Sequence, residues 1–138
     1  MNLYLDASVV LRILLKDPAR LRDWEPQDTK VASALLEVEC LRALDSLRLR
    51  KVLSETEVDR DRESLAAVLR ATDIIGVSLP VLRRASEPLT VPLRTLDAIH
   101  LASALIWCEA KGGNLTMATH DEDLARAARK KGLEVIGV

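Results

Sequence analysis

Five short strand-like runs, each separated from the next by sequence with helical spacing, constrain this 138-residue chain more than any other feature. They are Asn2-Leu3-Tyr4-Leu5, Lys30-Val31-Ala32, Ile74-Ile75-Gly76-Val77, Leu115 to Thr119 and Glu134 to Val138. None alternates cleanly between apolar and polar residues, which is the pattern of strands covered on both faces. Helix-forming segments fill the intervals: Ala7 to Leu15, Ala34 to Leu49, Ser54 to about Ala71, Pro80 to Ala85, Thr95 to Ala110 and Asp121 to Lys131. Strands alternating with helices predict an α/β fold, a three-layer α/β/α arrangement doubly wound around a parallel sheet of about five short strands. The length suits one domain over residues 1–138 with one core.

Local signals refine the boundaries. Lys16-Asp17-Pro18 ends the first helix, and a second short helix is expected over Ala19 to Trp24. Ser33 suits the N-cap of the helix carrying Leu36, Cys40, Ala43 and Leu47. The acids of Ser54-Glu55-Thr56-Glu57 favour a helix start, Ser86 to Arg94 reads as loop, and Gly112-Gly113 stops the long helix before the fourth strand.

Composition sets limits on function. Aromatic residues supply only 2% of the chain, so the core must be built from Leu, Val, Ile and Ala, and base stacking cannot be extensive. Net charge is −1, without the globally basic balance of many nucleic-acid binders, so any contact with phosphates depends on local Arg and Lys patches or on cations held by acids. Cys40 and Cys108 lie in apolar stretches with no zinc-ligand spacing, which reads as two buried thiols in a reducing cytoplasm. Asp6, Arg12 and Lys16 interrupt the apolar start, which does not read as a signal peptide, and no run reaches the ~20 apolar residues of a membrane span.

The acids carry the functional signal. In parallel sheets ligands bind beyond the carboxyl ends of the strands. Asp6 follows the first strand and Asp121 follows the fourth, so both are expected at one crevice. Asp97 opens the long helix, and Glu39 sits among apolar neighbours with Arg42 three residues on. Carboxylates gathered together repel unless a cation offsets them. Mg²⁺ or Mn²⁺ on such oxygens would acidify a water and neutralise charge on a phosphodiester. Each acid also has an ordinary reading: Asp121 as a helix N-cap, Asp97 as a first-turn acid, Asp6 as a turn residue, Glu39 as half of a surface pair with Arg42. His100 reads as a helix-packing residue and His120 as a solvent-exposed one.

Four segments in this order resemble the PIN-domain family, and within it the VapC-like toxins of type II toxin–antitoxin (VapBC) pairs. They are Tyr4-Leu5-Asp6-Ala7-Ser8, Glu39-Cys40-Leu41-Arg42-Ala43, Leu96-Asp97-Ala98-Ile99-His100-Leu101-Ala102, and Ala118-Thr119-His120-Asp121 with the strand–helix–strand that closes the chain. Glu37 competes with Glu39 for the second acid, and the spacing to Arg42 favours Glu39. The resemblance implies an endoribonuclease dependent on Mg²⁺ or Mn²⁺, with Asp6, Glu39, Asp97 and Asp121 as both catalytic and metal-binding acids. It implies Arg42, Ser8 and Thr119 as substrate-side residues. It also implies homodimers and a cognate VapB-like antitoxin whose tail covers the acidic groove. Two other classes share the layout: a receiver-like phosphotransfer domain, which would want a Lys at a strand end, and a non-catalytic module that binds a basic peptide.

Overall fold

The structure is a computed structural model that describes residues 1–22 and 25–138. Its elements in chain order are β1 (Asn2–Leu5), α1 (Ala7–Leu14), β2 (Thr29–Ser33), α2 (Leu35–Leu49), α3 (Glu55–Arg70), β3 (Thr72–Ile75), α4 (Leu79–Ala85), α5 (Thr95–Lys111), β4 (Thr116–Ala118), α6 (Glu122–Lys130) and β5 (Glu134–Ile136). The strands form one sheet in the order β3-β2-β1-β4-β5. All pairings are parallel, with Tyr4 opposite Val31 on one side and Met117 on the other. The three-layer α/β/α expectation holds.

The pleat sorts the strand residues between two layers. Leu3, Leu5, Ala32 and Ala118 face α1, α2 and α3, where they pack with Val9, Val10, Leu36, Cys40 and Leu65. Tyr4, Val31 and Met117 face the other way, onto Leu101, Ala104 and Trp107 of α5 and Leu124, Ala127 and Ala128 of α6. α4 closes this second layer through Val81, against Ile99 and Ala102 of α5. With almost no large rings to fill space, small residues on α5 and α6 bring those helices close to the sheet. The two free cysteines fall on opposite faces, Cys40 in the first cluster and Cys108 beside the second, so the sheet separates them. No helix among the described residues is long and apolar enough to cross a membrane.

The order of strands places a switch point. From β1 the chain winds outward through β2 and β3, then returns to the other side of β1 to add β4 and β5. Connections leave β1 and β4 toward opposite faces, opening a crevice between their carboxyl ends.

Three local expectations are revised. Residues 19–22 are not helical, and residues 23 and 24 of that expected helix lie outside the described residues. Ser33 ends β2 and Ala34 takes the N-cap place, yet the Ser33 Oγ still accepts the Leu35 N–H at 3.1 Å, so the hydroxyl caps the helix from inside the strand. The third strand starts two residues earlier than its apolar run, at Thr72. It is an edge strand, so it tolerates polar residues: the Thr72 hydroxyl donates to Val68 O, and Asp73 accepts from the Trp107 indole at 3.2 Å.

Candidate active site

Asp6 stands at the switch point because β1 ends there. Its N–H donates to Ala118 O at 3.1 Å, which ties the ends of β1 and β4 together, and its side chain is only 5% exposed as a residue. Burying a carboxylate is costly unless its oxygens find donors. Here Oδ2 accepts the Ser8 hydroxyl at 2.6 Å and the Thr119 hydroxyl at 2.8 Å. Each hydroxyl in turn accepts a backbone N–H, Ser8 from His120 at 3.0 Å and Thr119 from Asp121 at 3.0 Å. Both protons therefore go to Asp6, and each oxygen keeps one lone pair for another donor.

Asp121 begins α6. Its Oδ1 accepts the Leu124 N–H at 2.9 Å, so the N-cap reading of this residue is correct, and the cap is what fixes the carboxylate at the crevice. Asp97 lies in the first turn of α5, with Arg94 Nε 3.9 Å away. Burial, then the charges of Asp121 and Asp6, push its carboxyl above the ordinary aspartate range, with Arg94 and His100 opposing. The geometry agrees: the Thr119 hydroxyl donates to Asp6 and accepts the Asp121 N–H, and His100, one turn along α5 from Asp97, lies 3.9 Å from Asp6. The open crevice beside them encloses about 620 Å³ and is lined by Glu39, Leu93, Arg94, Thr95, Leu96 and Asp97.

Glu39 turns inward from α2, whereas Glu37 is exposed on the outer face. The expected partner of Glu39 was Arg42; the structure gives a different one. Arg42 is exposed and pairs with Asp45 at 3.1 Å, beside Glu37 on the outside of α2. Glu39 Oε1 instead meets His100 Nε2 at 2.5 Å. His100 is fully buried, bonded through Nδ1 to Tyr4 Oη at 2.8 Å, and its Nε2 lies 3.9 Å from Asp6 Oδ1. Burial pulls the imidazole toward its neutral form, but the Glu39 bond and the charges of Glu39, Asp6 and Asp97 outweigh it and raise its pKa. The spacing of Asp97 and His100 on one helix was visible in the sequence; the bond across to α2 was not.

His120 also departs from expectation. It is not solvent-exposed: Nδ1–H donates to Gly137 O at 2.7 Å, and Nε2 is buried without a partner among the described residues. Gly137 has φ +103°, and a Cβ there would stand 2.4 Å from Thr119 O, so only glycine lets the end of the chain lie against this loop.

The donors fit a hard divalent cation in kind. All are carboxylate oxygens, and positive charge would relieve the repulsion on Asp97. Among the described residues no three of His, Cys, Asp and Glu come close enough to ligate one ion together. Mg²⁺ typically takes one or two carboxylates and keeps several waters, so it needs no three-ligand cage. The receiver-like alternative finds no lysine lining the crevice, and Lys30 lies near the start of β2, not its end.

Comparison with known proteins places the chain in a family. The PIN domain family model matches residues 3–130. Ribonuclease VapC46 of Mycobacterium tuberculosis is 34% identical over 97% of this chain and 95% of its own length. Ribonuclease VapC47 of the same species is 27% identical over 94% and 92%. A solved structure, VapBC2 from Rickettsia felis bound to a DNA fragment from its promoter, shares the fold with a TM-score of 0.65 at 14% identity, covering 99% of this chain and 98% of that one. By its match along nearly the whole length, and by a fold that sets its acids at the β1/β4 switch point, the chain belongs to the PIN-domain family.

Proposed function

We propose that this chain is the toxin of a type II toxin–antitoxin pair, an endoribonuclease that hydrolyses RNA phosphodiester bonds with a divalent cation, Mg²⁺ or Mn²⁺. The observation that carries the reading is the gathering of acids far apart in sequence beside an open crevice: Thr119 links Asp6 to the Asp121 N–H, and His100 Nε2 lies 2.5 Å from Glu39 and 3.9 Å from Asp6. The similarity to two proteins named ribonuclease supports it.

Of Asp6, Glu39, Asp97 and Asp121, one or two would bind the cation directly and the others would reach it through its bound waters. When bound, such an ion supplies positive charge to the phosphoryl oxygens and makes water a better nucleophile at neutral pH. The chain's own residues do the rest. Ser8 and Thr119 fix Oδ2 of Asp6, and their remaining lone pairs accept from a water or from a substrate hydroxyl. Hydrolysis forms one bond from water oxygen to phosphorus and breaks one P–O ester bond; the water proton leaves to a nearby carboxylate or solvent, and the departing ester oxygen takes a proton from solvent to leave as a hydroxyl. Exposed Arg94, at the lip of the crevice, and Arg42, farther out on α2, offer guanidinium groups to the RNA backbone. A protein of net charge −1 gathers phosphates through such local contacts, so affinity should fall as salt rises.

The partner of the fold's solved relative, a VapB-type antitoxin, suits the same crevice: a basic side chain entering it would meet the acids and exclude the cation. Homodimers, a toxin–antitoxin hetero-oligomer and a cytoplasmic location belong to this reading.

Incubating antitoxin-free protein with total cellular RNA, in Mn²⁺ or in chelator, tests it. Cleavage should require the ion and should be abolished in Asp6→Asn and Asp97→Asn proteins that keep the wild-type fold. If both variants cut like the parent, the acids are not the site and the proposal fails.

A further inference from the structure

α5 is built to be buried: Ile99, Leu101, Ala102 and Ala104 all pack inward. A leucine at position 100 would need no hydrogen-bond partners there. His100 is fully buried instead, so two ring nitrogens must be satisfied in a region with few polar groups. Both are. The Ser33 N–H donates to Tyr4 Oη at 3.2 Å, and Tyr4 Oη lies 2.8 Å from His100 Nδ1. The two rings meet edge to face, with centroids 5.9 Å apart. Burial holds the Tyr4 phenol far above its ordinary pKa, so its proton stays in place. Ser103 also lies against the phenol, and its hydroxyl donates to Ile99 O at 2.8 Å.

The acid end of this hydrogen-bond chain fixes the ring. An ionised Glu39 Oε1 can only accept, so the ring proton sits on Nε2, which faces it at 2.5 Å; in the neutral ring Nδ1 is then bare and accepts from Tyr4 Oη, which itself accepts the Ser33 N–H. The same Nε2 is 3.9 Å from Asp6 Oδ1, so one N–H stands close to two acids. With Oε1 held, the other oxygen of Glu39 is left for the crevice.

We propose that His100 is a positioning residue of the active centre: oriented by Tyr4, it donates Nε2–H to Glu39 and holds that carboxylate in place beside Asp6. The proposal rests on the nuclease reading for its consequence, but not for its test. It gives the Tyr4–His100–Glu39 chain a part in function that packing alone would not require.

Two measurements decide it. In metal-free wild-type protein at mildly alkaline pH, ring ¹⁵N spectra of His100 should show a protonated Nε2 and an unprotonated, hydrogen-bonded Nδ1, and Tyr4→Phe should shift the Nδ1 signal. A ring with bare Nε2 overturns the proposal whatever the protein does to RNA. Wild-type protein that cuts no RNA would overturn the nuclease reading and leave the ring result untouched. In kinetics, His100→Ala should lower kcat about 10- to 100-fold, the range for groups that orient metal-site ligands, with little change in KM. His100→Gln, which puts an amide N–H near the Nε2 position, should recover most of the loss. Folded His100→Ala protein with wild-type kcat, or folded His100→Gln protein no better than His100→Ala, overturns it. Should either substitution unfold the chain, the wild-type spectrum still decides.

Discussion

Asp97 shows what the crevice costs the fold. Its carboxyl is raised by burial and by the charges of Asp121 and Asp6. A carboxyl that holds its proton more tightly in the folded chain than in the unfolded one makes stability fall as pH climbs through the interval between the two pKa values. Above that interval the ionised group is a net burden. Replacing it with a neutral isostere, Asp97→Asn, should therefore raise the melting temperature of metal-free protein at neutral pH while removing RNA cleavage. A calorimetric scan of the two proteins in chelator checks this; a lower melting temperature for Asp97→Asn would show that its bonds outweigh the repulsion. Asp6 differs: its Oδ2 is held by Ser8 and Thr119, so removing the carboxylate leaves the buried Thr119 hydroxyl and the half-buried Ser8 hydroxyl without their acceptor.

At the scale of elements, α3 stands apart from the crevice and stabilises it from behind through Leu65 and Val68. Its start is a capping box: the Ser54 hydroxyl accepts the Glu57 N–H at 3.1 Å, and Glu57 accepts the Ser54 N–H at 3.1 Å. Ser54→Ala should cost about 1 kcal/mol of unfolding free energy and leave cleavage unchanged, as denaturant melts alongside an RNA assay would show. The backbone bond from Ser54 holds the Glu57 carboxyl below its ordinary pKa, so its contribution is present above the unfolded value and fades as pH falls through the lowered folded one. Most elements were legible in the sequence because caps and periodicity are local: Ser54-Glu55-Thr56-Glu57 and Gly112 announce their helix ends directly. β3 was misplaced because its apolar run continues past the ladder, while Thr72 and Asp73 enter it through bonds to α3 and α5. The segments and the strand-end rule single out the four acids in the sequence; the structure sets Asp6 and Glu39 both near His100 Nε2 and links Asp6 to the Asp121 N–H through Thr119. The partner of Glu39 could not be named from the sequence, since His100 lies 61 residues away and the nearer Arg42 gave a plausible local alternative. His120 was misread for a similar reason, because its cover comes from Gly137 at the far end of the chain.

For the molecule as a whole, the sheet order is what gathers acids that are separate in sequence. Placing β1 between β2 and β4 brings Asp6 and Asp121 to one edge, and the buried face of α5 carries Asp97 and His100 to the same place. The assembly holds negative charge together that the fold alone does not favour, and the account requires a cation to make it favourable. An ion that binds only the native chain must stabilise it. Thermal unfolding of wild-type and Asp97→Asn protein across a Mn²⁺ titration is therefore the most direct test. The account predicts that Asp97→Asn melts higher in chelator, that Mn²⁺ raises the wild-type melting temperature by several degrees, and that the variant gains little, so the order of the two reverses. Equal gains in both proteins, or none in the wild type, would contradict it.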